Sequence, residues 1–242
     1  GRWFLRLQAD FIKKIKTGTI SISLDLEDTV LGILGRSGCG KSVTLRCLAG
    51  ILLPDVGTIL LDGEQLFDSV KKISLKPQQR RIGYLFQNYA LFPNMTVREN
   101  ISFALEERKE SAWAEELLER FYLSEVADLR PSLLSGGQQQ RTAMARMLAA
   151  RPRVLLLDEP FSALDSFLRK EMMREVKALL QQFGGVSIIV SHNKEEIYDL
   201  TQMCMVMQKG NIAEIGQTKN IFANPQTAEG KLLIHGGKRW FI

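Results

Sequence analysis

Residues 35–42 read GRSGCGKS. A glycine, four residues and then Gly-Lys-Ser is a spacing that wraps backbone around phosphate. Gly35, Gly38 and Gly40 let the chain curl, so that successive N–H groups, those of Arg36, Ser37 and Cys39 among them, turn inward toward phosphate oxygens. A helix opening near Lys41 adds its positive dipole end. Lys41 is placed for the β- and γ-phosphates, Ser42 offers a hydroxyl to Mg²⁺, and Val43 completes the stretch.

A second reactive stretch is VLLLDEP, residues 154–160. An acid at the end of a neighbouring strand can hold Mg²⁺ through water, which is the place of Asp158. Glu159 adds a carboxylate able to polarise an attacking water, a sign of hydrolysis rather than phosphoryl transfer. Read in isolation, the same two acids could be a solvated turn. His192 follows the apolar run VSIIV and so falls at the C-terminal edge of a sheet, where ligands of open α/β folds bind. It reads either as a structural residue or as a contact to the γ-phosphate. Gln87 follows another short apolar run and is a candidate for the metal or water shell.

LLSGGQQQR, residues 133–141, is poor core material: two glycines and three glutamines precede an apolar helix. Gly136-Gly137 interrupts any helix arriving from upstream.

The elements that must position these groups are legible from periodicity. ISISLDL (20–26) alternates strictly, and KTGT (16–19) before it reads as a hairpin turn. VLGILG (30–35) is a buried strand, 42–51 a helix, and 57–66 a strand with an Asp-Gly turn. From about 98 to 150 the texture is helical; in 111–123, Trp113, Leu117, Leu118 and Phe121 form one apolar stripe. A strand over 154–160, a helix over 166–183, a strand over 186–190, a helix over 194–201 and a hairpin over 203–216 follow. Strands alternating with helices indicate a parallel α/β sheet with a helical insertion.

Composition narrows the class. The 242 residues carry a net charge of +5 with no long basic block, which argues against nucleic acid as a partner. Three cysteines without CxxC spacing suit reduced thiols. No apolar run reaches the roughly 18 residues of a membrane span, so the chain reads as soluble.

Together, GRSGCGKS, Gln87, LSGGQ at 134–138, VLLLDEP, SALD at 162–165 and Ser191-His192 resemble the ABC-type ATPases over roughly residues 5–234. The resemblance implies an α/β fold: a P-loop NTPase, RecA-like core, an N-terminal antiparallel β subdomain and an inserted α-helical subdomain. It implies one domain over 1–242, with core and β subdomain in about 1–87 and 151–242 and the helical subdomain in about 88–150. ATP and Mg²⁺ are the implied cofactors. Glu159 becomes the general base and His192 the switch histidine, while Gln87 sits in the loop that senses metal and water. Two copies or paralogues would pair head to tail, with Ser135, Gly136, Gly137 and Gln138 closing on the partner's ATP and Asp165 touching the partner's phosphate loop. An aromatic about two dozen residues before the phosphate loop stacks on adenine in this family; Phe11 is the candidate, with Phe4 as alternative.

The stretch 87–101 is similar to the region of importer ATPases that receives a membrane permease, with Tyr89, Leu91, Phe92, Pro93 and Met95 as the docking patch. A solute-binding protein is then an indirect partner, and the cytoplasmic face of the membrane the expected location. Residues 66–87 look most like the molybdate importers. No room is left for a C-terminal regulatory β-domain. The alternative is an ABC ATPase of translation or DNA repair, although one unit and no sustained heptads speak against it.

Overall fold

The computed structural model describes residues 4–105, 111–162 and 164–236. Ala163 of the SALD stretch lies outside them.

β1 (Arg6–Ile15) and β2 (Gly18–Glu27) form the predicted antiparallel hairpin. The alternation of β2 buries Ile20, Ile22, Leu24 and Leu26 on one face. β4 (Val56–Leu61) pairs with the free edge of β1, and β5 (Glu64–Asp68) and β6 (Ile73–Ser74) continue outward, all antiparallel. The β4–β5 turn is Asp62-Gly63, both with positive φ (+49° and +80°), as a two-residue hairpin turn requires.

The remaining strands are β3 (Val30–Gly35), β7 (Ile82–Leu85), β8 (Val154–Asp158), β9 (Val186–Val190), β10 (Met203–Gln208) and β11 (Asn211–Gln217). Among the described residues all eleven join one sheet in the order β6-β5-β4-β1-β2-β11-β10-β3-β9-β8-β7. β10, β3, β9, β8 and β7 run parallel to one another, and β11 pairs antiparallel with β10. Every residue of β3, β8 and β9 is buried, as expected of strands covered on both faces.

Helices cover those faces: α1 (Lys41–Ala49), α2 (Val97–Ser102), α3 (Ser111–Arg120), α4 (Gly136–Ala149), α5 (Ser166–Phe183), α6 (Lys194–Leu200), α7 (Thr218–Ala223) and α8 (Ala228–His235). The side chains of β3 divide between two cores. Leu31 and Ile33 join the core that holds Leu45 and Leu48 of α1, while Val30 and Leu34 join the one that holds α3, α4 and α5. Burying Leu45 and Leu48, both 0% exposed, contributes about 1.5–3 kcal/mol each and fixes α1 on the sheet.

Two details depart from the sequence reading. α4 starts at Gly136, so the glycine pair is the first turn of the helix rather than the break before it. The second is Arg80, one of two adjacent arginines that no sequence pattern marks as buried. It is 1% exposed, and its Nη1 donates to the carbonyls of Cys47 and Leu48 at 3.0 and 2.9 Å, capping the end of α1. Burial lowers its pKa to about 10, which still leaves a cation at neutral pH. Gly50, at φ +76°, leaves it space, since a Cβ there would lie 2.5 Å from Arg80 Nε.

Candidate functional site

The parallel strands deliver the predicted groups to one edge of the sheet. β3 ends at Gly35 and β8 at Asp158, and β9 leads directly into Ser191 and His192. The loop after β3 turns on Gly38 (φ +78°) and Gly40 (φ +112°), conformations that L side chains adopt only under strain. Gly40 is also crowded: a Cβ would meet Ile20 Cδ1 at 2.8 Å. α1 then begins at Lys41, with its N-terminus facing the loop.

A cleft of about 430 Å³ lies over this loop. Its walls include Ser37, Gly38, Gly40, Lys41, Ser42, Val43, Gln87, Glu159 and His192, which the sequence nominated, and Ile15 and Thr17, which it did not. The Lys41 ammonium rests on the carbonyls of Gly35 (2.7 Å) and Arg36 (3.2 Å). Cys39 is buried, and its N–H donates back to the Arg36 carbonyl at 3.2 Å. The Arg36 side chain does not turn to the cleft; its Nε lies 3.2 Å from the buried carboxylate of Glu229 on α8.

Ser42 Oγ donates to Asp158 Oδ1 at 2.8 Å, and the Tyr84 hydroxyl donates to Asp158 Oδ2 at 2.8 Å. Burial, with the Asp158 charge second, pushes the Tyr84 phenol well above its ordinary value, so it stays a donor. A hydroxyl and a carboxylate are hard oxygen donors, the set that suits Mg²⁺. That ion takes one or two protein ligands and completes its shell with water and phosphate. Among the described residues no three His, Cys, Asp or Glu side chains gather to hold a metal by themselves. Tyr84 was missed from sequence because one residue of a four-residue strand carries no periodic signal.

Glu159 sits just beyond β8 with φ +50°, its N–H donating to the Val190 carbonyl at 3.0 Å. A non-glycine residue in that conformation is uncommon, and such strain clusters at functional sites. Its Oε2 lies 2.7 Å from His192 Nδ1. The carboxylate is 13% exposed and the imidazole 67%, so the pair faces the cleft from its rim.

Phe11 corrects the sequence reading. It is 1% exposed, at the centre of the core beneath β1 and β2, and cannot stack on a base. Phe4 is 61% exposed but lies at the far end of β1, about 30 Å of strand from the hairpin tip. Ile15, just before the KTGT turn, and Thr17 within it are the residues at that tip that reach the cleft.

Ser135, Gly136, Gly137 and Gln138 do not line the cleft. They form the start of α4, where Ser135 Oγ accepts from the Gln138 N–H at 3.3 Å and the Gln138 side chain accepts from the Ser135 N–H at 2.9 Å. Among the described residues no acceptor takes the Ser135 hydroxyl proton. Gly137 lies against α5, a Cβ there meeting Leu168 Cδ1 at 3.0 Å. Asp165 caps α5, its Oδ1 accepting from the Phe167 and Leu168 N–H groups at 2.9 and 3.0 Å.

Comparisons with known proteins bear on this arrangement. Residues 19–162 match the family described as ABC transporter. The chain is 45% identical over 212 residues to the spermidine/putrescine import ATP-binding protein PotA of Bacillus cereus, covering 85% of this chain and 63% of that protein. It is 43% identical over 211 residues to the sulfate/thiosulfate import ATP-binding protein CysA of Thermosynechococcus vestitus, covering 84% of this chain and 61% of that one. These curated relatives are therefore longer, and the chain spans a little over three-fifths of their length. Among solved structures it is similar to a dimeric post-hydrolysis state of the ATP-binding cassette MJ0796 bound to ADP and Pi. That likeness has a TM-score of 0.70 and 27% identity, and covers 88% of this chain and 98% of that one.

Proposed function

The chain belongs to the ABC transporter family, and from that membership we propose that it binds ATP with Mg²⁺ over residues 35–42 and hydrolyses it to power a membrane importer. The observation that carries the hydrolytic reading is the Glu159–His192 pair, standing at the same sheet edge as Lys41 and the Ser42–Asp158 bond.

The cleft supports a division of labour. Gly38, Gly40 and the start of α1 cradle phosphates, and Lys41 leaves the Gly35 and Arg36 carbonyls to meet them. Ser42 and Asp158, with Gln87 at the rim, would hold Mg²⁺, whose chemistry is to neutralise charge on the phosphate oxygens. One carboxylate oxygen of Glu159 faces His192, which leaves the other to accept a proton from the attacking water. Ile15 and Thr17 give the base an apolar edge in place of Phe11.

The signature residues complete a second chain's site. Ser135 and the start of α4 lie outside their own cleft, and the similar solved cassette is dimeric, which supports head-to-tail pairing around ATP. Homodimer and paralogue pair both satisfy this geometry.

A groove of about 630 Å³ between β7 and α4 supports permease docking. Phe86, Phe92 and Phe103 line it, with Arg146 5.1 Å over the Phe92 ring. This revises the docking patch, because Tyr89 is 5% exposed and turned into the core. Relatives named as import proteins support the importer class, and with it a peripheral place on the membrane. Their names point to polyamine and sulfate, so molybdate rests only on the look of residues 66–87.

Co-purification tests the proposal. Recovery of the chain with a polytopic membrane protein whose solute uptake consumes ATP supports it; recovery with ribosomes or DNA alone overturns the importer reading.

A further inference from the structure

His192 is two-thirds exposed, so little of its own surface fixes its aim. Its neighbours are fixed instead. Ser191, 0% exposed, donates through Oγ to Glu196 Oε2 at 2.6 Å and accepts from the Asn193 N–H at 2.9 Å. Asn193 in turn caps α6, its Oδ1 accepting from the Glu195 N–H at 2.9 Å. The histidine is the exposed middle of a turn whose two flanks are pinned.

The anchor of that turn is a buried charge. Glu196 is 4% exposed, and its Oε1 lies 3.8 Å from Nε of Arg169 on α5. Arg169 Nη2 donates to the Leu164 carbonyl at 3.1 Å, in the loop that descends from Glu159 to α5. The start of that loop is also tied, since the Glu159 carbonyl accepts from the Ser162 N–H (3.2 Å) and Oγ (3.0 Å). Arg169 and Glu196 thus join the segment after Glu159 to the turn that carries His192. Among the described residues Arg169 Nε is buried with no hydrogen-bond partner, and Glu196 is the carboxylate that faces it. Ion pairs with one partner buried and the other a third exposed contribute little net stability after desolvation is subtracted. Fixed geometry is what this one supplies.

We propose that Glu196, opposed by Arg169, is a positioning residue: it pins Ser191 and thereby sets the His192 imidazole on Glu159. The proposal rests on the hydrolytic reading of that pair.

Phosphate release, nucleotide affinity and thermal midpoint are measured for Glu196→Ala and Glu196→Gln, each with His192 intact and in His192→Ala, using single turnovers to follow residual rates. Glu196→Ala should lower kcat roughly ten-fold, a fraction of the 10²–10⁴ that a positioned proton-transfer group contributes, with ATP affinity within about two-fold. Glu196→Gln should recover most of the rate, because its amide oxygen still accepts from Ser191. In His192→Ala, Glu196→Ala should cost nothing further. An equal loss in both backgrounds, or a kcat loss matched by lost ATP affinity and left unrescued by Gln, overturns the proposal. Should Glu196→Ala fail to fold, Arg169→Met carries the same comparison and the same two outcomes. Unchanged turnover in His192→Ala would instead overturn the hydrolytic role of His192, and the proposal with it.

Discussion

His192 Nδ1 lies 2.7 Å from Glu159 Oε2 although 33 residues separate them in the chain. Adjacent parallel strands β8 and β9, in register from Val154 with Val186 to Asp158 with Val190, bring them together. Glu159→Gln should therefore cut turnover by about 10² or more while ATP binding persists. With hydrolysis blocked, ATP should hold a dimer on size-exclusion chromatography; a monomer under those conditions would sink head-to-tail pairing. Glu159→Gly offers a contrast. Removing the Cβ relieves a φ of +50°, so the thermal midpoint should hold or rise as activity disappears.

Ser42 and Asp158, 116 residues apart, share a 2.8 Å hydrogen bond and should share a phenotype. Ser42→Ala and Asp158→Asn should each raise the Mg²⁺ concentration that half-saturates turnover, by about ten-fold or more. Binding of a fluorescent ATP analogue in EDTA should change little. An unaltered Mg²⁺ requirement in both variants would remove these residues from the metal site.

Phe11 and Ile15, on the same strand, should behave oppositely. Phe11→Ala empties a fully buried position and should cost about 3–5 kcal/mol, a fall in thermal midpoint on the order of 10 °C. Ile15→Trp adds a flat apolar face at the cleft and should tighten ATP binding with little change in stability. No change in nucleotide affinity would show that the hairpin tip does not meet the base.

Asp55 gives a pH signature at the root of that tip. It accepts from the Lys14 N–H at 2.6 Å and from Lys13 Nζ at 3.2 Å, and these bonds, the Lys14 N–H foremost, hold its carboxyl below the ordinary aspartate value. A depressed folded pKa stabilises above the unfolded value of about 3.9, and the contribution is lost as pH falls through the folded value. Wild type should therefore melt slightly above Asp55→Asn near neutral pH. The two midpoints should converge below about pH 4; a constant gap down to pH 3 would contradict the assignment.

Phe103 is 62% exposed and packs edge-on to Phe92, their centroids 4.7 Å apart. Phe103→Glu should leave ATP turnover in solution unchanged and weaken recovery of the membrane partner. Full recovery would move the docking surface elsewhere.

The legible parts of this protein were those whose physics is local. Strict alternation in 20–26, an all-apolar run ending in glycine at 30–35 and a phosphate loop written in glycines needed only neighbouring residues to be read. The illegible parts depend on distance in the chain. Phe11 resembles any other aromatic on a strand until β2 and β4 flank that strand and a core closes beneath it. No periodicity marks Arg80, yet α1 needs a donor at its C-terminal carbonyls and the fold carries this guanidinium there.

By itself the sequence determined the chemistry on offer: a glycine-built phosphate cradle, a lysine, a hydroxyl, two carboxylates and a histidine, each at the end of a strand it also specified. Only the tertiary structure decided which of these meet. Parallel register set Glu159 against His192, and the fold set Ser42 and Tyr84 on the Asp158 carboxylate. The same folding put Ser135 and Gly137 outside the cleft, with Gly137 against α5. Contacts of this kind depend on strand order, which hydrophobic pattern constrains only weakly. Strand order exists only once the chain has closed on itself.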